Sequence, residues 1–159
     1  MIEREDQGRI AVVRLAHRKA SAMDLELVER LTGEARALER DGVDAVVLTG
    51  SGSIFSAGVD LYRIIDGGAD YVARFLPALT TMLRVWFEFP KPLVAAINGH
   101  AIAGGAILAQ CADLRLMASG KGRIGIPELR VGVPFPPYVI ELLRQRVSPH
   151  ALQRLIVTG

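Results

Sequence analysis

The stretch "LVAAINGHAIAGGAILAQCADLRLMA" (residues 93–118) decides the fold. Its first five residues, Leu93 to Ile97, form an uninterrupted apolar run, the pattern of a strand buried on both faces. The loop "NGHAI" follows, then a small-residue helix from about Ala103 to Cys111, then a second strand in "DLRLMA" and a short one at Arg123 to Ile126. Strand, loop, helix and strand in this order predict an α/β layered fold whose central strands are mostly parallel and joined by right-handed crossovers.

The same punctuation occurs upstream. "DAVVLTG" (44–50) reads as a buried strand ending in glycine, and "SIFSAGVDL" (53–61) leaves it through Phe55 and then through Ser56, Ala57 and Gly58, which carry almost no side chain. Asp60 reads as the N-cap of a short helix "LYRII". Around these, Ile2–Glu5 and Ile10–Leu15 predict a hairpin turned at Gly8, and Ser21 with Asp24 resembles a capping box for a helix reaching about Arg40. A second helix is predicted from about Tyr71 to Phe89, with Val72, Phe75, Leu76, Leu79, Leu83 and Trp86 on one face and "FPKP" as its stop. Ser148 and Pro149 signal a last helix, capped at Gly159. No tandem repeat or linker is visible.

At 159 residues and 50% hydrophobic, the chain is expected to form a single domain over 1–159. Nineteen Lys+Arg against seventeen Asp+Glu give a formal +2, and the basic residues are scattered, which argues against nucleic-acid or membrane partners. A lone cysteine, Cys111, excludes an internal disulfide framework and fits a reducing compartment, so cytoplasm is expected. "MIEREDQGR" has the pattern of neither a signal nor a transit peptide, and no apolar run approaches a membrane span.

Each small-residue stretch follows a predicted buried strand and precedes a helix, where open α/β sheets place ligands. The alternative is two tight turns that simply require glycine. Gly50, Gly52 and Gly58 do not have dinucleotide-fingerprint spacing, no Lys-Ser/Thr completes a P-loop, and Ser51, Ser53 and Ser56 do not sit in a nucleophile elbow. His17, His100 and His150 are far apart without ligand spacing, so no metal is expected. Glu128, in "RIGIPELRVGVPF", lies among Ile126, Leu129, Val131, Val133 and Phe135. It is either a desolvated carboxylate with a raised pKa, suited to general-base work, or a solvated first-turn glutamate favoured by a helix dipole.

"FSAGVDL", "KPLVAAINGHAIAGGAILAQCADLRL" and "IPELRVG", in this order, resemble the enoyl-CoA hydratase/isomerase (crotonase) superfamily, with similarity from about Gly8 onward. The resemblance implies a crotonase-like ββα spiral core and, because relatives continue past "LIVTG", a missing C-terminal helical part. It also implies an oxyanion hole for an acyl-CoA thioester, built from the backbone N–H groups of Val59 and Gly104, with Ala57, Gly58, Gly104 and Gly105 kept small so that the thioester oxygen can approach. The CoA portion is expected along Ala20 and Ala22 and along Ala57, Gly58, Val59, Asp60 and Leu61. The CoA thioester is itself the substrate, with no separate cofactor, and a homo-oligomer, trimer or hexamer, is expected by the same resemblance.

Hydratases of this family use two glutamates. Glu128 matches the second, but the position of the first is Ile107. One carboxylate suffices to move a proton from C2 to C4 of a 3-enoyl-CoA, whereas positioning and splitting water needs more. The resemblance therefore implies an isomerase of fatty-acid-type metabolism, with Glu128 catalytic and Ile107 drying the pocket. The alternatives are a hydratase (lyase) or a non-catalytic acyl-CoA-binding module.

Overall fold

The computed structural model describes residues 1–159. β1 (Ile2–Gln7) and β2 (Ile10–Leu15) form the expected antiparallel hairpin, with Gln7 opposite Ile10 and Gly8 at φ 64° in the turn. The chain crosses through α1 (Leu25–Arg40), which buries Leu27, Val28, Leu31, Ala35 and Leu38, the apolar stripe read from the sequence.

Three turns of one ββα pattern then follow. The first is β3 (Ala45–Thr49), β4 (Ile54–Ser56) and α2 (Leu61–Phe87); the second is β5 (Leu93–Ile97), β6 (His100–Ile102) and α3 (Gly104–Cys111). The third is β7 (Leu114–Met117), β8 (Ile124–Gly125), a 3₁₀ turn (Glu128–Val131) and α4 (Pro137–Arg146), after which α5 (Pro149–Thr158) ends the chain. The first strand of each turn adds in parallel to one sheet, ordered β1-β2-β3-β5-β7, and the second adds in parallel to a smaller sheet, ordered β4-β6-β8. The chain is thus an α/β spiral, and a contiguous cluster of buried apolar side chains, including Phe55, Phe75, Trp86 and Leu108, fills it. No helix is long and apolar enough to cross a membrane.

Four local readings are corrected. Asp24, not Ser21, caps α1: its carboxylate accepts from the Leu27 N–H at 2.9 Å, while the Ser21 hydroxyl accepts from the His17 N–H at 3.3 Å. The short helix after Asp60 and the helix expected from Tyr71 run together as α2, broken only at Gly68 (φ 57°, ψ −154°). β4 and β6 have three residues each, too short to show an alternating pattern. α4 starts at Pro137, where no helix was predicted; proline is well suited to a helix's first turn.

Candidate active site

The small sheet brings the two glycine-containing loops together. β4 and β6 pair in parallel, Ile54 with His100 and Ser56 with Ala101, so the segments leaving their carboxyl ends run side by side. A Cβ added to Gly58 would lie 2.6 Å from the Ile102 carbonyl oxygen and 3.0 Å from the Gly104 nitrogen; one added to Gly105 would lie 2.4 Å from the Ser56 carbonyl oxygen. Gly58 and Gly105 are therefore required by loop-on-loop packing, which revises the expectation that both are kept small for a ligand. At Gly104 such a Cβ would meet nothing closer than Met23 Sδ at 3.3 Å, with Gly58 Cα and Val59 Cγ2 both at 3.6 Å.

The packing leaves two donors free. Gly104 is the first residue of α3, where an N–H has no intrahelical acceptor, and Ala103 supplies no side-chain cap. The Val59 N–H donates to no backbone carbonyl either, although its neighbours do: Asp60 N–H donates to Met23 O at 3.0 Å and Ala57 N–H to Ala20 O at 3.0 Å. The helix dipole of α3 adds partial positive charge at the Gly104 end. Ala103 holds this geometry at φ 52°, ψ −126°, a conformation that alanine rarely adopts.

Val59, Gly104, Ile107 and Glu128 line a single cleft of about 860 Å³, together with Leu61. The long wall of the cleft comes from α2. Val72 and Leu76, placed by periodicity on a packing face, line the cleft beside Phe75 and Leu79. The cleft is also lined by Phe135, already placed near Glu128 by the sequence, by Pro136 and by Tyr138 in the first turn of α4; the last two sequence reasoning missed because it had no helix there to orient them.

Glu128 opens the 3₁₀ turn and is 7% exposed. Its Oε2 is buried without a hydrogen-bond partner, and it joins no ion pair. Burial pushes its pKa above the ordinary carboxylate range, opposed only by its own backbone N–H. Of the two readings the sequence left open, the desolvated carboxylate is the one observed. No other Asp or Glu lines the cleft, and Ile107, 4% exposed, supplies an apolar wall one turn beyond Gly104.

Ala20, Ala22, Ala57, Gly58 and Asp60 do not line the cleft. All but Ala22 take part in a backbone ladder beside it, in which Met23 N–H also donates to Gly58 O at 2.7 Å, so the segments around residues 20–23 and 57–60 are held as one unit. Asp60 caps α2 through the Arg63 N–H at 3.2 Å, as expected. His17, Asp24 and Glu26 gather three metal-capable side chains, but Asp24 is engaged: His17 Nε2 lies 2.8 Å and Arg18 Nη2 3.3 Å from its Oδ2. Burial opposes a charge there, yet the hydrogen bonds from His17 and the Leu27 N–H and the Arg18 charge hold its pKa below the usual carboxylate range.

Comparison with known proteins bears on the family and the fold. Residues 5–159 match the family model described as enoyl-CoA hydratase/isomerase. The chain is 37% identical over 159 residues to a putative enoyl-CoA hydratase of Thermus thermophilus, covering 97% of this chain and 62% of that protein. It is 28% identical over 162 residues to the mitochondrial enoyl-CoA delta isomerase 1 of Mus musculus, covering 100% of this chain and 56% of that protein. The crystal structure of the human mitochondrial delta3-delta2-enoyl-CoA isomerase superposes with a TM-score of 0.92 at 26% identity, over 98% of this chain and 62% of that one. The chain therefore spans between 56% and 62% of the length of these relatives, and over that length it belongs to the enoyl-CoA hydratase/isomerase family.

Proposed function

We propose that this chain carries the site of an isomerase that converts a 3-enoyl-CoA into the 2-enoyl-CoA. The observation that carries the reading is that Glu128 is the one carboxylate in the cleft, facing an apolar wall that includes Ile107. The thioester oxygen accepts from the Val59 and Gly104 N–H groups. Glu128 removes a proton from C2, and the C–H electrons spread into a dienolate whose negative charge rests largely on that oxygen. Glu128 then returns the proton to C4, C2 becomes doubly bonded to C3, and the C3–C4 double bond becomes single.

Each oxyanion donor contributes about 10²- to 10³-fold, because charge develops at the oxygen only as the proton leaves. The general base contributes about 10²- to 10⁴-fold, provided that its pKa approaches the operating pH, which the burial of Glu128 favours. Hydration of a 2-enoyl-CoA requires a water to be oriented and divided between C2 and C3. In this cleft one carboxylate would have to do both.

On this reading the CoA thioester is the substrate rather than a bound cofactor, and the ladder joining residues 20–23 to 57–60 supports the CoA portion. Hydratase is the second reading, favoured by the name of the Thermus thermophilus relative, which is more similar in sequence than the mouse isomerase. Supplying 3-enoyl-CoA and 2-enoyl-CoA separately decides between them: rapid isomerisation with slow hydration supports the proposal, and rapid hydration replaces it with the second reading.

A further inference from the structure

The cleft is not apolar to its end. Thr80, Thr81 and Arg84, neighbours on one face of α2, line it together with Tyr138 from the first turn of α4. Helical threonines commonly satisfy their hydroxyls on the carbonyl four residues back, as Thr32 and Thr158 do at 2.8 and 2.7 Å. Thr80 and Thr81 form no such bond, and their hydroxyls are left for whatever occupies the cleft. Arg84, exposed at the mouth of this end, makes no ion pair, even with Glu88 one turn on, and the Tyr138 hydroxyl is buried without a partner. Glu88 acts on Tyr138 electrostatically but does not line the cleft.

The position of this group sets a length. The Cys111 thiol donates to the Leu83 carbonyl at 3.5 Å, which pins this part of α2 to the last turn of α3. Gly104 opens the same helix, so the polar group lies about 10 Å along α3 from the oxyanion amide, at 1.5 Å per residue. Between the two ends the walls are Phe75, Leu79 and Ile107.

We infer that the cleft is built for an acyl group of medium length that is apolar along its middle and ends in a carboxylate held by Arg84, Thr80, Thr81 and Tyr138. A guanidinium has only donors, the three hydroxyls can all donate, and a terminal carboxylate offers acceptors to all of them. An alkyl end would instead desolvate the cation and the hydroxyls without replacing their hydrogen bonds. This inference rests on the acyl-CoA reading but not on the direction of its chemistry.

The test is calorimetric binding of two saturated acyl-CoAs of equal chain length, one ending in methyl and one in carboxylate, to the unmodified chain and to Arg84→Leu. Neither ligand has a double bond, so the outcome is independent of whether the protein isomerises or hydrates. The unmodified chain is expected to bind the carboxylate-ended ligand at least about 10-fold more tightly, in line with a charge-assisted pair, and Arg84→Leu to abolish that preference by weakening the carboxylate-ended ligand while binding the methyl-ended one at least as tightly as the unmodified chain does. Equal or weaker binding of the carboxylate-ended ligand by the unmodified chain, or no binding of it, overturns the inference. Equal weakening of both ligands in Arg84→Leu also overturns it, since Arg84 would then be holding a phosphate of CoA.

Discussion

Gly58 and Gly104 lie so close that a Cβ on Gly58 would stand 3.0 Å from the Gly104 nitrogen, on the amide proposed to hold the thioester oxygen. The same Cβ would meet the Ile102 carbonyl oxygen at 2.6 Å, and Gly58 itself sits at φ +85°. Gly58→Ala should therefore cost about 1–3 kcal/mol of stability from backbone strain. It should also lower turnover by about 10-fold or more, because the loops carrying both donors must separate. Thermal melting and steady-state kinetics on the same preparation check both effects.

Ala103 presents the opposite case. At φ 52° and ψ −126° it occupies backbone space open mainly to glycine. Ala103→Gly removes that strain and adds flexibility to the unfolded chain, leaving an expected net gain of about 1 kcal/mol. A fall in melting temperature would show that the conformation carries no strain.

Glu128→Gln should raise stability at neutral pH. Because burial lifts the folded-state pKa of Glu128 above its ordinary value of 4.5, the stability tied to its protonated form is complete below that value and is lost as the pH rises through the folded-state pKa. Glutamine has no such charge to bury. The advantage of the variant should open over that interval, persist at pH 7 and vanish in acid. A variant less stable than the parent at every pH would mean that Glu128 is a structural residue.

The framework of alternating strands and helices was legible because long apolar runs such as Leu93–Ile97 and periodic helices such as α1 announce themselves. The spiral came only from the family resemblance. Its repeat lies in where the strands pair, and β4 and β6 are too short to be recognised by composition, although β8 was read as the short strand at Arg123 to Ile126. Glu128 stood out as a carboxylate among apolar residues, and Gly104 as backbone without a side chain. Arg84, Thr80 and Tyr138 did not, since a polar residue on an amphipathic helix looks solvated until the opposing wall is known. The small side chains at Gly58 and Gly105 were seen correctly, but their cause lay in the facing loop, which no local reading contains.

Ile107→Glu tests why the cleft is dry. A second carboxylate one turn beyond Gly104 would face the same cavity as Glu128 and give water a second acceptor. We expect isomerisation to fall and hydration of 2-enoyl-CoA to rise, shifting their ratio by about 10-fold or more in a variant that stays folded, since general acid–base assistance is worth about 10²- to 10⁴-fold. An unchanged ratio would remove Ile107 from the account of specificity.

The central claim, that Glu128 alone carries the proton from C2 to C4, is tested most directly by the turnover of 3-enoyl-CoA by Glu128→Gln, with acyl-CoA affinity measured on the same protein. Glutamine keeps the shape but cannot accept the proton, so turnover should fall by about 10²- to 10⁴-fold while affinity changes little. Turnover within a few-fold of the unmodified chain would contradict the account.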